Sequence, residues 1–144
     1  MSQRARKALA RFDRVIDAAV GAGLTISGLV MIIGYAQPKA LTDTIHYLAT
    51  FSWATVLTLS ALAILIGTVL RTERTGRQQS YAYGLELGGW SFSFGAVFVY
   101  AIANTASGGS AAGDAALFVL AALLLGRFVR LWGNVWVARQ EVGN

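Results

Sequence analysis

The sequence predicts an all-α membrane protein, a bundle of four transmembrane helices with both termini in the cytoplasm. Hydrophobic residues make up 56% of the 144 residues and charged residues only 13%, about half of the ~25% usual in soluble domains. The charges are clustered, which leaves four long segments nearly free of them. Most of the basic residues flank these segments on one side, as expected for a protein oriented in a membrane.

Each apolar segment is long enough to cross a bilayer as a helix, which takes ~20 residues for ~30 Å of hydrocarbon. The expected spans, all within one transmembrane domain covering residues 1–144, are about 15–35, 47–70, 83–104 and 115–137. Transmembrane strands are about 10 residues long with strict alternation of side chains. The unbroken apolar run at residues 61–66 shows no such alternation.

The distribution of basic residues predicts the orientation. The N-terminal tail, the loop between the second and third spans, and the C-terminal part lie on one side of the membrane. Their basic residues are Arg4, Arg6, Lys7, Arg11, Arg14, Arg71, Arg74, Arg77, Arg127, Arg130 and Arg139. The loops of the other side carry only Lys39. The positive-inside rule therefore places both termini in the cytoplasm, and the strong bias argues against dual topology. We expect a multi-pass protein of the bacterial cytoplasmic membrane.

A cleaved signal peptide is the alternative for the first segment, because it begins with basic residues and Gly34-Tyr35-Ala36 resembles a cleavage site. However, its apolar stretch is about 21 residues long, whereas the core of a signal peptide has about 7–15. We therefore expect the first span to be retained.

Few residues of the chain carry reactive chemistry. It has no cysteine and one histidine, His46, which excludes disulfides, thiolate nucleophiles and a haem held by two histidines of one chain. His46 alone is no metal site, which needs three or four ligands, and we expect it in a solvated loop. No nucleophile is paired with a base. We expect no enzyme activity, no cofactor, no metal and no catalytic residues.

The N-terminal segment has the pattern of a basic amphipathic helix. Its basic stripe consists of Arg4, Lys7, Arg11 and Arg14. Spacings of three and four residues place these side chains on one helix face, with Phe12 and Ile16 on another. We expect the stripe to contact anionic lipid headgroups, although it also serves as a topology signal. The net charge of +5 indicates anionic lipid and not nucleic acid, because the basic residues flank apolar segments.

Span three carries a stripe of small residues along one face. This small-residue stripe consists of Gly84, Gly88, Ser91 and Gly95. In lipid, helices associate through close packing and interhelical hydrogen bonds, and small residues permit close backbone approach. The sequence predicts a helix-packing face here. It leaves open whether the partner is another span, a second copy in a homo-oligomer or another membrane protein.

Roughly opposite the small-residue stripe lies a polar face that runs the height of the span. It consists of Glu86, Ser93, Tyr100 and Asn104. Such a face normally meets protein or water and not lipid. One interpretation is internal hydrogen bonding within the four helices. The other is the lining of an aqueous pore in an oligomer.

Two charges lie inside the expected spans, and both are expected near the cytoplasmic side. Glu86 is about one turn inside span three, and Arg127 follows only about a dozen apolar residues of span four. A charge at the bilayer centre costs about 2.5–3.5 kcal/mol on insertion scales, and pairing reduces that cost. We predict that Glu86 forms an ion pair with Arg127 or Arg130. The alternative is that Glu86 reaches headgroup water while Arg127 extends outward.

Short motifs in the second half of the chain resemble a known group of proteins. The segments are 83–90, 99–101 and 126–131, with the sequences YGLELGGW, VYA and GRFVRL. They are similar to segments of small four-span membrane proteins encoded by phages of actinobacteria, some of which are holin-like. The resemblance implies a viral membrane protein and carries over no catalytic residue.

These patterns favour a holin-like protein that forms oligomers and permeabilises the membrane. The first alternative is a phage or prophage protein for superinfection exclusion or defence. The second is a non-catalytic structural subunit of a larger membrane complex. A small multidrug transporter ranks lower, because that class uses a carboxylate in its first span, where only Asp17 comes close, and tends to have a weak charge bias.

Overall fold

The computed structural model describes residues 3–33, 47–73 and 77–142, with side chains over 11–33, 50–71 and 80–136. Within these ranges the chain is helical except at residue 33 and at the turn of residues 107–110, and it forms no strand. The helices are α1 (Gln3–Ile32), α2 (Tyr47–Glu73), α3 (Arg77–Ala106) and α4 (Ala111–Val142). The expectations for His46 and for the side chains of Arg4 and Lys7 lie outside the described residues.

Each helix contains a segment long and apolar enough to cross a membrane. These segments are Arg11–Ile32, Thr50–Arg71, Ser80–Ala106 and Ala111–Trp136. The shortest has 22 residues, which at ~1.5 Å per residue covers ~30 Å of hydrocarbon. The prediction of an all-helical protein with four candidate transmembrane helices is therefore confirmed.

Helix α1 runs without interruption from Gln3 to Ile32, so the basic N-terminal segment and the first candidate span form one helix. At its beginning the side chain of Arg11 is exposed and that of Arg14 is half-buried. The two described members of the basic stripe therefore differ in their exposure to solvent. Its last member, Arg14, lines a cavity described below.

Helices α2 and α3 form the centre of the molecule. Helix α2 packs between α1 and α3, and α4 packs on α3. The central spans are 44% and 39% buried, whereas those of α1 and α4 are 22% and 17% buried. Among the described residues, no Cα atom of α1 lies within 8 Å of one in α4. The two outer helices are therefore not held together by backbone packing.

The close approach of α2 and α3 depends on two glycines. A Cβ atom added at Gly89 would lie 2.6 Å from the carbonyl oxygen of Ser60, and one at Gly67 would lie 2.8 Å from that of Ala82. Gly28 has the same role between α1 and α2, where an added Cβ would lie 3.2 Å from the carbonyl oxygen of Ala54. Small residues at these positions let neighbouring backbones come close, as in other membrane helices.

The turn between α3 and α4 is closed by polar contacts. Gly108 has a φ of +76°, a conformation that glycine adopts at no steric cost. The amide of Gly109 donates to the carbonyl of Asn104 at 2.8 Å. The side-chain amide of Asn104 donates to the carboxylate of Asp114 at 2.7 Å, which ties the end of α3 to the first turn of α4.

Candidate functional site

Six charged side chains, contributed by all four helices, meet at one end of the molecule. This charged cluster consists of Asp13, Asp17, Arg71, Glu86, Arg127 and Arg130. They come from the first part of α1, the end of α2, the first part of α3 and the last part of α4. Neighbouring helices therefore run antiparallel, and the beginning of α1 and the end of α4 lie on the side of the charged cluster.

Arg71 connects three helices. Its Nη1 lies 3.1 Å from Oε2 of Glu86 on α3, and its Nη2 lies 3.8 Å from Oδ2 of Asp17 on α1. Its guanidinium carbon also lies 5.5 Å from the ring centroid of Tyr83, within the range of a cation–π interaction. Since Arg71 follows Gly67 by one helical turn, the close approach of α2 and α3 at Gly67 brings its guanidinium group to Glu86.

Arg127 fastens α4 to α1. Its Nε donates to Oδ1 of Asp17 at 2.8 Å, and its Nη2 lies 2.6 Å from the same oxygen. Nη1 and Nη2 also reach Asp13, at 3.3 Å from Oδ1 and 2.9 Å from the backbone carbonyl oxygen. Charge-assisted bonds of this kind are about twice as strong as neutral ones. They bridge the two outer helices, whose backbones lie apart.

Arg130 lies one turn after Arg127 and pairs with Asp13. Its Nη2 lies 2.8 Å from Oδ2, and its Nη1 lies 3.5 Å from Oδ1. The side chain of Arg130 is 57% exposed, against 20% for Arg127. The network therefore grades from a buried inner part at Glu86 and Asp17 to an open outer part at Arg130 and Asp13.

The predicted partner of Glu86 was wrong. The carboxylate pairs with Arg71 of α2, while Arg127 and Arg130 turn toward α1. The reason is the packing order, because α3 lies close against α2 at Gly67 and Arg71 is the first cation within reach. Asp13 was not considered as a partner, although acids at i and i+4 such as Asp13 and Asp17 share one helix face. The four-residue spacing of Asp13 and Asp17 was the sequence pattern that could have identified Asp13 as a partner of the arginines.

Glu86 is the most enclosed charge in the described residues, with 0% of its surface exposed. A buried charge is tolerated when it is paired. Glu86 therefore depends on the ion pair with Arg71.

The charged cluster surrounds a cavity of about 380 Å³, here called the charged cavity. Four arginines and two aspartates contribute to its wall. They are Arg14, Arg71, Arg127, Arg130, Asp13 and Asp17. Tyr83 and Asn134 also line it. The wall of the cavity therefore combines guanidinium N–H groups with carboxylate oxygens.

The predicted polar face of α3 points toward the neighbouring helices. Ser93 is fully buried, and its hydroxyl lies 2.9 Å from that of Ser60 on α2. The ring of Tyr100 lies 5.6 Å from that of Trp53 on α2. Asn104 bonds to Asp114 on α4, and Glu86 is enclosed. Within one copy of the chain, this arrangement favours internal bonding over the lining of a pore.

Among the described residues, the small-residue stripe makes no close contact with another helix. A Cβ atom added at Gly84, Gly88 or Gly95 would meet nothing within 4 Å, and Ser91 is exposed. The interpretation of this stripe as packing between spans of one chain was therefore wrong. The glycine that packs against α2 is Gly89, which follows Gly88 by one position and about 100° of helical rotation.

The small-residue stripe lines a groove between α2 and α3 on the molecular surface. Two cavities of about 600 and 320 Å³ adjoin at Val56 and Phe92. Gly84 and Gly88 line the first, and Ser91 and Gly95 line the second. We call this surface the α2–α3 groove. Within the described part of the chain, the hydroxyl of Ser91 has no hydrogen-bond partner.

Comparison of the chain with protein-family models, with curated proteins and with solved structures gives no match.

Proposed function

We propose that this chain is a small, non-enzymatic membrane protein that associates with further copies of itself and permeabilises the membrane in a holin-like way. The observation that carries the proposal is the α2–α3 groove, where the small-residue stripe faces outward. In this proposal the protein lies in the bacterial cytoplasmic membrane as a four-helix bundle with both termini in the cytoplasm.

The physics of association in lipid supports self-association at the α2–α3 groove. Lipid tails are as apolar as the side chains around the groove, so helices gain little from hydrophobicity when they meet. Close packing and interhelical hydrogen bonds stabilise the contact instead. Gly84 and Gly88 leave room for a partner helix, and Ser91 offers a hydroxyl group within the candidate span.

The inward polar face of α3 limits how permeabilisation takes place. Ser93 and Glu86 are both 0% exposed, so one copy offers water no continuous polar path along α3. The proposal therefore assigns permeabilisation to the assembly and not to the single chain. An anionic leaflet would hold the basic end of each copy in place, because Arg11 is exposed at the beginning of α1.

The orientation follows from the basic residues. The arginines of the charged cluster lie at the end of the molecule where α1 begins and α4 ends, together with Arg11 and Arg14. Lys and Arg are enriched on the cytoplasmic side of membrane proteins. This distribution supports placing the charged cluster in the inner leaflet.

The test uses induced expression in bacteria with two matched variants. Gly88→Leu adds a side chain inside the α2–α3 groove, and Gly23→Leu adds the same side chain to α1. Neither meets another part of the chain within 4 Å of its Cβ atom. A potential-sensitive dye monitors the membrane potential of the cells. We expect abrupt depolarisation with the parent and Gly23→Leu, and a delayed or absent one with Gly88→Leu. A normal membrane potential after expression of the parent chain would contradict the proposed permeabilising function.

The alternative functions give different outcomes in the same cells. Unchanged polarisation with resistance to incoming phage would support superinfection exclusion or defence. Unchanged polarisation with co-purification of other membrane subunits, lost in Gly88→Leu, would support a structural subunit. In that last case the α2–α3 groove would receive a helix of a different protein, since close packing on small residues does not require an identical partner.

A further inference from the structure

Helix α4 forms one side of the charged cavity. It contributes Arg127, Arg130, Leu131 and Asn134 to the wall, together with residues of the other three helices. Among the described residues, no Cα atom of α4 lies within 8 Å of one in α1 or α2. At the cavity, Arg127 and Arg130 join α4 to α1 through ion pairs. Charged side chains therefore close the cavity on the side between α1 and α4, where the two backbones do not pack.

Helix α4 is also the least tightly packed of the four helices. Its candidate span is the least buried, and Cβ atoms added at Gly126 and Gly133 would meet nothing within 4 Å. By contrast, Gly28 brings α1 close to the backbone of α2 at Ala54. Segments with few buried contacts are those that open locally while the rest of a fold stays closed. Of the two helices joined by the ion pairs, α4 is therefore the one that is free to move.

The beginning of α4 is anchored to α3. The side-chain amide of Asn104 donates to Asp114 at 2.7 Å. The rings of Phe98 on α3 and Phe118 on α4 pack edge to face, with centroids 6.3 Å apart. These contacts adjoin the turn at Gly108, at the opposite end of α4 from the ion pairs. Release of the ion pairs would therefore leave this turn as a pivot.

The ion pairs grade from weak to strong along the direction of opening. The outer pair of Arg130 and Asp13 is the more exposed one, so solvent screens it most. After α4 is released, the buried Asp17 still faces Arg71, whose Nη2 lies 3.8 Å from Oδ2. The released arginines can extend into water, as long basic side chains do near helix ends. The open state therefore leaves no isolated charge in the wall.

We propose that α4 is a lid over the charged cavity, held on α1 by a latch that consists of Arg127 and Arg130 with Asp13 and Asp17. Opening begins at Arg130 and passes inward to Arg127. The last part of α4 then turns away from α1 about the α3–α4 turn and exposes the cavity between the two helices. The latch is separate from the α2–α3 groove, so the proposal does not depend on self-association or permeabilisation.

The reactivity of a cysteine in the cavity wall measures the opening. The chain has no cysteine, so Leu131→Cys supplies a single thiol. Leu131 lines the charged cavity and is buried, and its thiol becomes accessible when the lid opens. Leu124→Cys is the matched control, because Leu124 is buried two turns earlier on α4 and does not line the cavity. Iodoacetamide, a small neutral reagent, labels both variants in neutral detergent.

Removal of one acid of the latch is expected to accelerate labelling at the cavity alone. Asp13→Asn takes away the partner of Arg130 and one of the partners of Arg127. We expect Leu131→Cys to react about fivefold faster in this background, the effect of one partly exposed ion pair, and Leu124→Cys to react as before. Unchanged labelling of Leu131→Cys, or equal acceleration at both positions, would overturn the proposal. The second result would indicate general loosening of the fold.

A distance measurement checks the direction of the movement without thiol chemistry. Spin labels at Val15→Cys and Val129→Cys, both exposed, report the spacing of α1 and α4 by double electron–electron resonance. Labels at Val15→Cys and Ile66→Cys report the spacing of α1 and α2. Labelled chains are diluted with unlabelled ones, so that labels of different copies do not contribute. We expect Arg130→Glu, which places two acids against each other, to lengthen the first distance and leave the second unchanged. Equal changes, or none, would overturn the proposal.

Discussion

Arg127 of α4 holds Asp17 of α1 through two guanidinium nitrogens, with Nε at 2.8 Å and Nη2 at 2.6 Å from the same carboxylate oxygen. The backbones of these helices do not come within packing distance in the described residues. The ion pair therefore supplies an attachment that helix packing does not. The side chain of Asp17 is only 4% exposed, so the interaction is little screened by solvent.

Removal of Arg127 is expected to destabilise the protein strongly. Arg127→Gln leaves Asp17 with only the more distant Arg71, and breaking a buried ion pair by removing one partner costs about 3–5 kcal/mol. The free energy of unfolding in detergent micelles measures the effect. Arg11→Gln is the matched control and should change stability by less than about 0.5 kcal/mol. Equal stability of the two variants would show that α4 is held by packing alone.

The pair of Arg71 and Glu86 is expected to behave as one unit. Arg71→Gln leaves the fully buried Glu86 carboxylate without its nearest cation, whereas Glu86→Gln removes the buried charge itself. We therefore expect the first change to cost more. The double variant should be more stable than the sum of the single effects predicts, with a coupling of about 0.5–3 kcal/mol. A double-mutant cycle measures this coupling, and additive effects would argue against a direct interaction.

Alanine substitutions at two neighbouring glycines of α3 are expected to have different effects on stability. Gly89→Ala places a Cβ atom 2.6 Å from the Ser60 carbonyl oxygen, so α2 and α3 must move apart, at a cost of about 1–3 kcal/mol. Gly88→Ala meets nothing within 4 Å and should be neutral or stabilise the helix by up to about 1 kcal/mol. Thermal unfolding in detergent compares them. Equal losses would contradict the orientation of α3 described here.

The sequence predicts the helices well because the length and apolarity of a span are local properties. Contacts between helices are not local, and there the prediction failed. Gly88 and Gly89 look alike in sequence, yet only Gly89 faces α2. Glu86 was matched to Arg127 by expected depth alone, whereas the order of the helices around one another gives it Arg71. Depth follows from position along a span, but helix neighbours and rotation follow from packing.

Asp17 illustrates the same limit. In the sequence it is one acid near the beginning of an apolar segment and resembles, at most, a transporter carboxylate. In the structure it is 3% exposed and lies between Arg71 and Arg127. Asp17 and Arg127 are 110 positions apart in the sequence, and no local pattern connects them. Only the antiparallel arrangement of the helices brings them together.

The proposed self-association rests on the outward orientation of the small-residue stripe, and cysteine cross-linking in native membranes tests it most directly. The chain has no cysteine, so each variant contains one thiol per copy. Ser91→Cys lies in the α2–α3 groove, and Ile26→Cys is the control on α1, where the side chain is 61% exposed. A disulfide requires Cβ atoms about 3.5–4.5 Å apart. We expect oxidation to give a covalent dimer with Ser91→Cys and little with Ile26→Cys. Equal or absent cross-linking in both would contradict association through the α2–α3 groove.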